Sequence, residues 1–236
     1  MWCISMGSER ARAWQLAAYG CALLCASAQP RAQARDVLQV CAVPNNLPFS
    51  NARGEGFENA LAALLARELR AELHYTFWPQ HRGFARNTLG AGRCDVLLGV
   101  TAGTPRVRTT RPYYQSSFVF LTRRQSQLQL RSWDDPRLRQ LRIGVHAVGD
   151  DDSAVPPAQL LARRGIHDNV HAYPIYGSYA QAVPARAPID ALLRGELDVV
   201  IVWGPLAGYF AQRAPRELVL SVVPEGDAPR LPMTFP

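Results

Sequence analysis

Aromatic and amide side chains recur in the loops that follow the predicted strands of this chain. Flat rings bury a large area at a low cost in side-chain entropy, so a cluster of them can hold an apolar or aromatic group, or a segment of a partner protein. Any single aromatic residue is also explained by core packing, and the hypothesis of a binding site depends on several of them clustering. The candidate residues are Asn45, Asn46, Pro48, Phe49, Trp78, Thr101, Tyr113, Tyr114, Tyr176, Trp203 and Tyr209.

Serine, histidine and cysteine do not stand at the spacing of a nucleophilic or metal site. The G-x-S-x-G pattern is absent, and Ser50, Ser117 and Ser178 have no histidine near them in sequence. No histidine lies at ligand spacing from Cys41 or Cys94, so we expect no metal. We interpret the scattered histidines as surface or structural residues: His74, His81, His146, His167 and His171.

The acidic residues that cluster or recur also have structural interpretations. Asp150–Asp152 lack the spaced oxygen ligands of a calcium loop, which favours a solvated turn. Asp95 and Asp198 begin two apolar runs, where we expect them to accept backbone hydrogen bonds. The phosphate-binding pattern G-x-G-x-x-G is absent, so we expect no nucleotide cofactor.

Two stretches of the chain repeat each other at an offset of 103 positions. Leu38, Gly92 and Asp95 match Leu141, Gly195 and Asp198, and each set lies in strand-like segments separated by helical periods. Such alternation is typical of βαβ units with parallel strands. We therefore predict an α/β fold of two doubly wound lobes, with a cleft between them where a ligand would bind at the strand ends.

The first 34 residues are typical of an export signal. Arg10 and Arg12 precede an apolar run from Trp14 to Ala28, and small residues allow cleavage after Ala28 or Ala34. The apolar run is shorter than the roughly 20 residues that span a bilayer, and no later segment is long enough to cross one. We expect an exported, periplasmic protein that is not embedded in a membrane.

The remaining chain divides at the repeat. We expect lobe one over residues 35–121, lobe two over residues 122–230, and the start of a return crossover to lobe one over residues 231–236. The apolar run FVFL from Phe118 is interpreted as the crossover into lobe two.

Two of the five cysteines, Cys41 and Cys94, lie outside the export segment. Cys41 is in the first predicted strand of lobe one and Cys94 immediately precedes the third, and these strands are neighbours in a doubly wound sheet. An exported chain can keep a disulfide, so a bridge and a pair of buried thiols both remain open.

The composition fits a globular chain with a basic surface. Its 236 residues are 48% hydrophobic and 19% charged, and the net charge is +7. All 26 basic residues are arginine, which we attribute to genome composition. Because no nucleic-acid-binding module accompanies the charge, we expect no nucleic-acid partner.

Four stretches resemble a known family. These are VCAVPNNLPFSNARGEGFEN from Val40, WPQHRGFARNTLGAGRCDVLLGV from Trp78, TTRPYYQSSFVF from Thr109 and VVIVWGPLAGYFA from Val199. They are similar to the binding-protein-like accessory proteins of quinoprotein dehydrogenases, the XoxJ and MxaJ type, which have the type II periplasmic solute-binding fold. The resemblance implies support of a PQQ-dependent alcohol dehydrogenase, such as methanol dehydrogenase, by contact with that enzyme or by delivery of something to it.

Two departures from the wider fold family bear on the ligand. Amino-acid binders place an arginine after the third strand of lobe one and an aspartate after that of lobe two, whereas this chain has Gly103 and the WGP run at Trp203. A zwitterion would lose hydration without gaining charged partners, so the cleft suits an apolar or protein ligand. Family members also return to lobe one with further elements, so we expect the sequence to be truncated at its C-terminus.

Three hypotheses follow from these residues. The first is an accessory protein for a quinoprotein dehydrogenase, and the second is a receptor that delivers a small organic, non-zwitterionic solute to an ABC transporter. The third is an enzyme on the same fold, such as a dehydratase, which requires a cleft carboxylate with a raised pKa as general acid. Glu55, Glu58 and Asp150–Asp152 are the acids placed for that role. We favour the first hypothesis and expect no catalysis.

Overall fold

The computed structural model describes residues 37–79, 83–147, 155–175, 183–223 and 231–234. The helices are α1 Phe57–Leu69, α2 Phe84–Asn87, α3 Pro156–Ala162, α4 Ala187–Leu193 and α5 Gly204–Arg213. The strands are β1 Val37–Ala42, β2 Asn45–Asn46, β3 Ser50–Asn51, β4 Glu72–Phe77, β5 Val96–Leu97, β6 Val100–Thr101, β7 Tyr114–Ser116, β8 Phe118–Arg123, β9 Ile143–Ala147, β10 Val170–Pro174, β11 Val199–Trp203, β12 Leu218–Ser221 and β13 Leu231–Thr234. None of the helices in these ranges is long and apolar enough to cross a membrane.

The first sheet is parallel, in the order β4-β1-β5. The helix α1 connects β1 to β4 and packs its alanine face on the sheet, with Ala62 and Ala66 buried against Leu38 and Val40. Small side chains at this interface let the helix approach the strands closely. Leu65 packs against the same core, whereas Leu64 and Leu69 of α1 are 44% and 48% exposed.

The second sheet has five strands, in the order β10-β9-β11-β8-β12. Its first three strands are parallel, whereas β8 and β12 run antiparallel to their neighbours. Consecutive apolar residues in β11 are buried on both faces, as expected for a central strand covered by helices. The run FVFL thus forms β8, a full member of this sheet, rather than a simple connection.

The repeated aspartates have the structural role that the sequence predicts. The backbone N–H of Gln39 donates to Asp95 Oδ2 at 2.9 Å, and that of Arg142 donates to Asp198 Oδ2, also at 2.9 Å. In both pairs the two residues are 56 positions apart. Each acid therefore ties the start of one parallel strand to its neighbour, which confirms the prediction.

A third, antiparallel sheet has the order β6-β13-β7. Residues 231–234, predicted to start a return crossover, form its central strand β13. The predicted lobe bounds of 35–121 and 122–230 remain a prediction.

The helix α2 is short and ends at Asn87. The hydroxyl of Thr88 donates to the carbonyl oxygen of Phe84 at 2.6 Å, and a 3₁₀ turn over Leu89–Ala91 follows. A threonine that bonds to the preceding turn competes with a regular continuation of the helix. The export segment 1–34, Asp150–Asp152 and Tyr176 lie outside the described residues.

Candidate functional site

Cys41 and Cys94 form a disulfide, with their Cα atoms 5.6 Å apart. The bridge joins β1 to the segment before β5, as the neighbouring strands predict, and it closes a loop over 53 positions. This settles the alternative of two buried thiols in favour of the bridge.

A hairpin formed by β2 and β3 carries the first predicted site residues. Its strands pair Asn45 with Asn51 and Asn46 with Ser50. The turn is closed by a hydrogen bond from the Phe49 N–H to the backbone carbonyl oxygen of Asn46 at 2.8 Å. The hydroxyl of Ser50 donates to the carbonyl oxygen of Val43 at 2.9 Å. These bonds hold the side chains of Asn46 and Phe49 at the end of β1.

A cavity of about 180 Å³ lies between this hairpin and the second sheet. We call it the aromatic cavity. The rings of Phe118 and Trp203 meet edge to face in its wall, with centroids 5.2 Å apart. Its lining is Asn46, Phe49, Phe118, His146, Val155, Pro157, Ile175, Ala185, Trp203 and Leu206.

His146 is the one titratable residue in that lining, and it is buried. Its Nε2 lies 2.9 Å from the carbonyl oxygen of Ala185. Burial lowers the pKa of His146 to about 4, so the ring is neutral at pH 7. Among the described residues, the wall of the aromatic cavity therefore has no formal charge at that pH, as expected for an apolar or protein ligand.

A second cavity, of about 270 Å³, lies beside the first sheet. We call it the acidic cavity, because Glu58 of α1 is in its wall. It shares Asn46 and Phe49 with the aromatic cavity. The other lining residues are Cys41, Ala42, Val43, Ser50, Phe84, Ala85, Leu97, Leu98, Gly99 and Val100.

Glu58 is 8% exposed, and burial raises the pKa of its carboxyl group to about 8. The Oε1 atom lies against Gly99, where a β-carbon would collide with it. Gly99 has φ of +70°, a conformation that glycine adopts at little cost. Of the acids that the sequence suggested as a general acid, Glu58 therefore has the predicted burial and raised pKa, whereas Glu55 is exposed and forms an ion pair with Arg53 at 2.8 Å.

Tyr113 and Tyr114 line a separate, open groove of about 520 Å³ on the outer side of α1. Their ring centroids are 5.1 Å apart, and Tyr114 also meets Phe57 edge to face at 5.9 Å. Burial raises the pKa of both tyrosines, so their hydroxyls stay protonated at neutral pH.

The structure therefore brings together only some of the predicted site residues. Asn46, Phe49 and Trp203 converge on the aromatic cavity. Asn45 and Pro48 belong to the hairpin that supports it, where the Pro48 carbonyl accepts the Phe57 N–H at 2.9 Å.

Three predicted residues lie away from the described cavities. The guanidinium of Arg93 stacks on Trp78 at 4.7 Å from the ring centroid, and that of Arg213 stacks on Tyr209 at 3.4 Å. Thr101 lies in β6, where it pairs with β13. Trp78 directly follows β4, as predicted, whereas Tyr209 lies in α5 and Thr101 in β6 rather than in loops. These side chains contact arginines or a neighbouring strand instead of a cavity.

Sequence reasoning missed Phe118 and Leu206 and did not place His146 at the site. Phe118 reaches the cavity because β8 is antiparallel to β11 and ends beside Trp203. No repeat in the sequence marks an antiparallel neighbour, so the signal was absent.

Comparison with known proteins gives a consistent picture. No family model matches the chain. It is 29% identical over 212 residues to the protein MoxJ of Methylorubrum extorquens AM1, covering 84% of this chain and 68% of that protein. The crystal structure of the periplasmic binding protein XoxJ from Methylobacterium extorquens AM1 is 30% identical, with a TM-score of 0.65, over 85% of this chain and 84% of XoxJ.

The crystal structure of MxaJ from Methlophaga aminisulfidivorans MPT has a TM-score of 0.69 at 23% identity, over 84% of this chain and 85% of MxaJ. That similarity supports the fold alone, the type II fold of periplasmic binding proteins. The identity to XoxJ extends through most of both chains. This chain belongs to the XoxJ-type family of periplasmic binding proteins.

Proposed function

We propose that this protein is exported to the periplasm and serves a PQQ-dependent alcohol dehydrogenase by binding that enzyme through the aromatic cavity. The observation that carries the proposal is the uncharged, aromatic wall formed by Phe49, Phe118 and Trp203. Large rings in a partly open, apolar pocket are the usual anchors of protein interfaces. Family membership supports a binding role, and the choice of the dehydrogenase as partner rests on the resemblance to accessory proteins of quinoprotein dehydrogenases.

The charge of the chain supports steering towards an acidic partner. The net charge is +7 for the full chain and +5 without residues 1–34, which hold three arginines and one glutamate. Exposed arginines attract an acidic surface over about 10 Å at moderate ionic strength. Steering of this kind raises the rate of association and weakens as salt is added.

Co-elution tests the role directly. The chain from Arg35 onward and the dehydrogenase catalytic subunit from the same cell should share one peak on size-exclusion chromatography at low salt, and the shared peak should weaken at high salt. Separate peaks at micromolar concentration would contradict the proposal.

A second candidate function, delivery of a small organic solute to a transporter, is favoured by the acidic cavity. Its volume is about 270 Å³, and it shares Asn46 and Phe49 with the aromatic cavity. A thermal-shift screen of small solutes tests this candidate, because a ligand that binds only the folded state raises the melting temperature.

A further inference from the structure

Glu58 is a buried carboxyl group for which the described residues provide no positive charge. Burying a charge is costly unless it is paired, and desolvation alone accounts for the shift of its pKa. No arginine or other hydrogen-bond donor among the described residues pairs with its carboxylate. The group is therefore available to an incoming cation.

Apart from Glu58, the wall of the acidic cavity is suited to a small apolar group of a ligand. The rings of Phe49 and Phe84 and the side chains of Ala85, Leu97 and Val100 form much of its wall. Aromatic faces attract organic cations, and carboxylates pair with them. The volume of about 270 Å³ corresponds to roughly nine water molecules at liquid density.

The chemistry of the wall also limits the class of ligand. In the described lining Glu58 is the only charged side chain, so a zwitterion would have a partner for its cation and none for its carboxylate. A bare divalent metal is disfavoured, since calcium takes six to eight oxygen ligands and one carboxylate cannot supply them.

We propose that the acidic cavity binds a small organic monocation, such as a primary alkylammonium ion, with its charge on the carboxylate of Glu58 and its alkyl chain against Phe49 and Phe84. The site shares Phe49 with the aromatic cavity, but Glu58, which pairs with the charge, is not in the wall of that cavity. The proposal does not depend on the dehydrogenase contact. No catalytic step is part of the proposal.

Binding should be linked to the loss of one proton. At pH 7 the carboxyl group is mostly protonated, because its pKa is about 8, and an ammonium ion pairs only with the ionised form. The titratable groups that face Glu58 are Tyr113 and Tyr114, whose raised pKa values keep them neutral in this range. The described cavity residues of β1, α2 and β5 carry no ionisable group, since Cys41 is bonded to Cys94.

Isothermal titration calorimetry of the mature chain with n-butylammonium chloride tests the site, with n-butanol as the neutral counterpart. Butylammonium should bind and butanol should not, and the affinity should rise about tenfold per pH unit below pH 8. Titrations in two buffers of different ionisation enthalpy should show close to one proton released at pH 7.

Variants separate the role of the charge from that of folding. Glu58→Gln keeps the shape of the side chain and should lower the affinity more than tenfold. Glu55→Gln, a change at an exposed acid just before α1, should leave it within a factor of two. Ala85→Phe narrows the cavity without altering Glu58, and it should also abolish binding.

Three outcomes would overturn the proposal: no binding of butylammonium, equal binding of butanol, or unchanged binding by Glu58→Gln. None of them bears on co-elution with the dehydrogenase, so failure here and failure of the proposed function can be distinguished.

Discussion

Glu58 and Asp198 are both acidic residues beside parallel strands, but their surroundings shift their pKa values in opposite directions. Asp198 receives the guanidinium of Arg142 at 2.8 Å and the backbone N–H of the same residue, and these bonds lower its pKa. Glu58 is buried without such partners among the described residues, and its pKa is raised to about 8. Asp198 therefore links two strands of the sheet, whereas Glu58 is the group with which the proposed cation would pair.

At this scale we expect the free energy of unfolding to fall as the pH rises from 6.5 to 8. Glu58 titrates near pH 8 when folded and near 4.5 when unfolded, so in this interval the folded state holds more protons and loses stability as the pH rises. The expected loss is roughly 1–2 kcal/mol, since one pKa unit corresponds to about 1.4 kcal/mol.

The titration of His146 changes the free energy of unfolding in the opposite direction, and at lower pH. Its pKa falls from 6.5 to about 4 on folding, so its stabilising contribution is complete above pH 6.5 and is lost as the pH falls towards 4. Urea denaturation at pH 6.5 and at pH 8 therefore isolates Glu58. Glu58→Gln should remove the difference between the two, and an unchanged difference in that variant would show that another group is responsible.

Among the elements, β1 supports most of the site. It lies at the centre of the first sheet, receives Asp95 through the Gln39 N–H, carries Cys41 in the disulfide, and leads into the hairpin that holds Asn46 and Phe49. A substitution that destabilises β1 should therefore disturb the walls of both cavities.

The disulfide should account for a large part of the stability of this element. Replacing Cys41 and Cys94 together with serine should lower the free energy of unfolding by about 4 kcal/mol, because the bridge restrains a loop of 53 positions in the unfolded chain. Guanidinium denaturation of this variant measures the loss. If the variant had the same denaturation midpoint as the oxidised wild type, the bridge would not be a stabilising feature.

Over the whole molecule, the neighbours of parallel strands were predictable from the sequence, whereas contacts between distant segments were not. The repeat predicted the parallel strands and the two aspartate contacts, because a βαβ unit fixes which strand neighbours which. It could not predict that β8 is antiparallel and brings Phe118 to Trp203, since that depends on pairing between distant segments.

The same limit applies to side-chain direction. Leucines recur at helical spacing in α1, but Ala62 and Ala66 are the residues buried on the sheet, and Leu64 is exposed. Trp78 stands at a strand end like Trp203, yet Arg93 covers its ring. Periodicity locates an element, whereas only the packed sheets determine which of its side chains meet.

The affinity of two tryptophan variants for the dehydrogenase catalytic subunit tests the central claim most directly. Trp203→Ala removes the ring from the aromatic cavity, whereas Trp78→Ala removes a ring that lies outside the described cavities. Thermal melts of both variants serve as the control for folding. The account predicts at least tenfold weaker binding for Trp203→Ala and a change of less than about twofold for Trp78→Ala, as expected for a central anchor compared with a peripheral residue. Equal affinities for the two folded variants would contradict it.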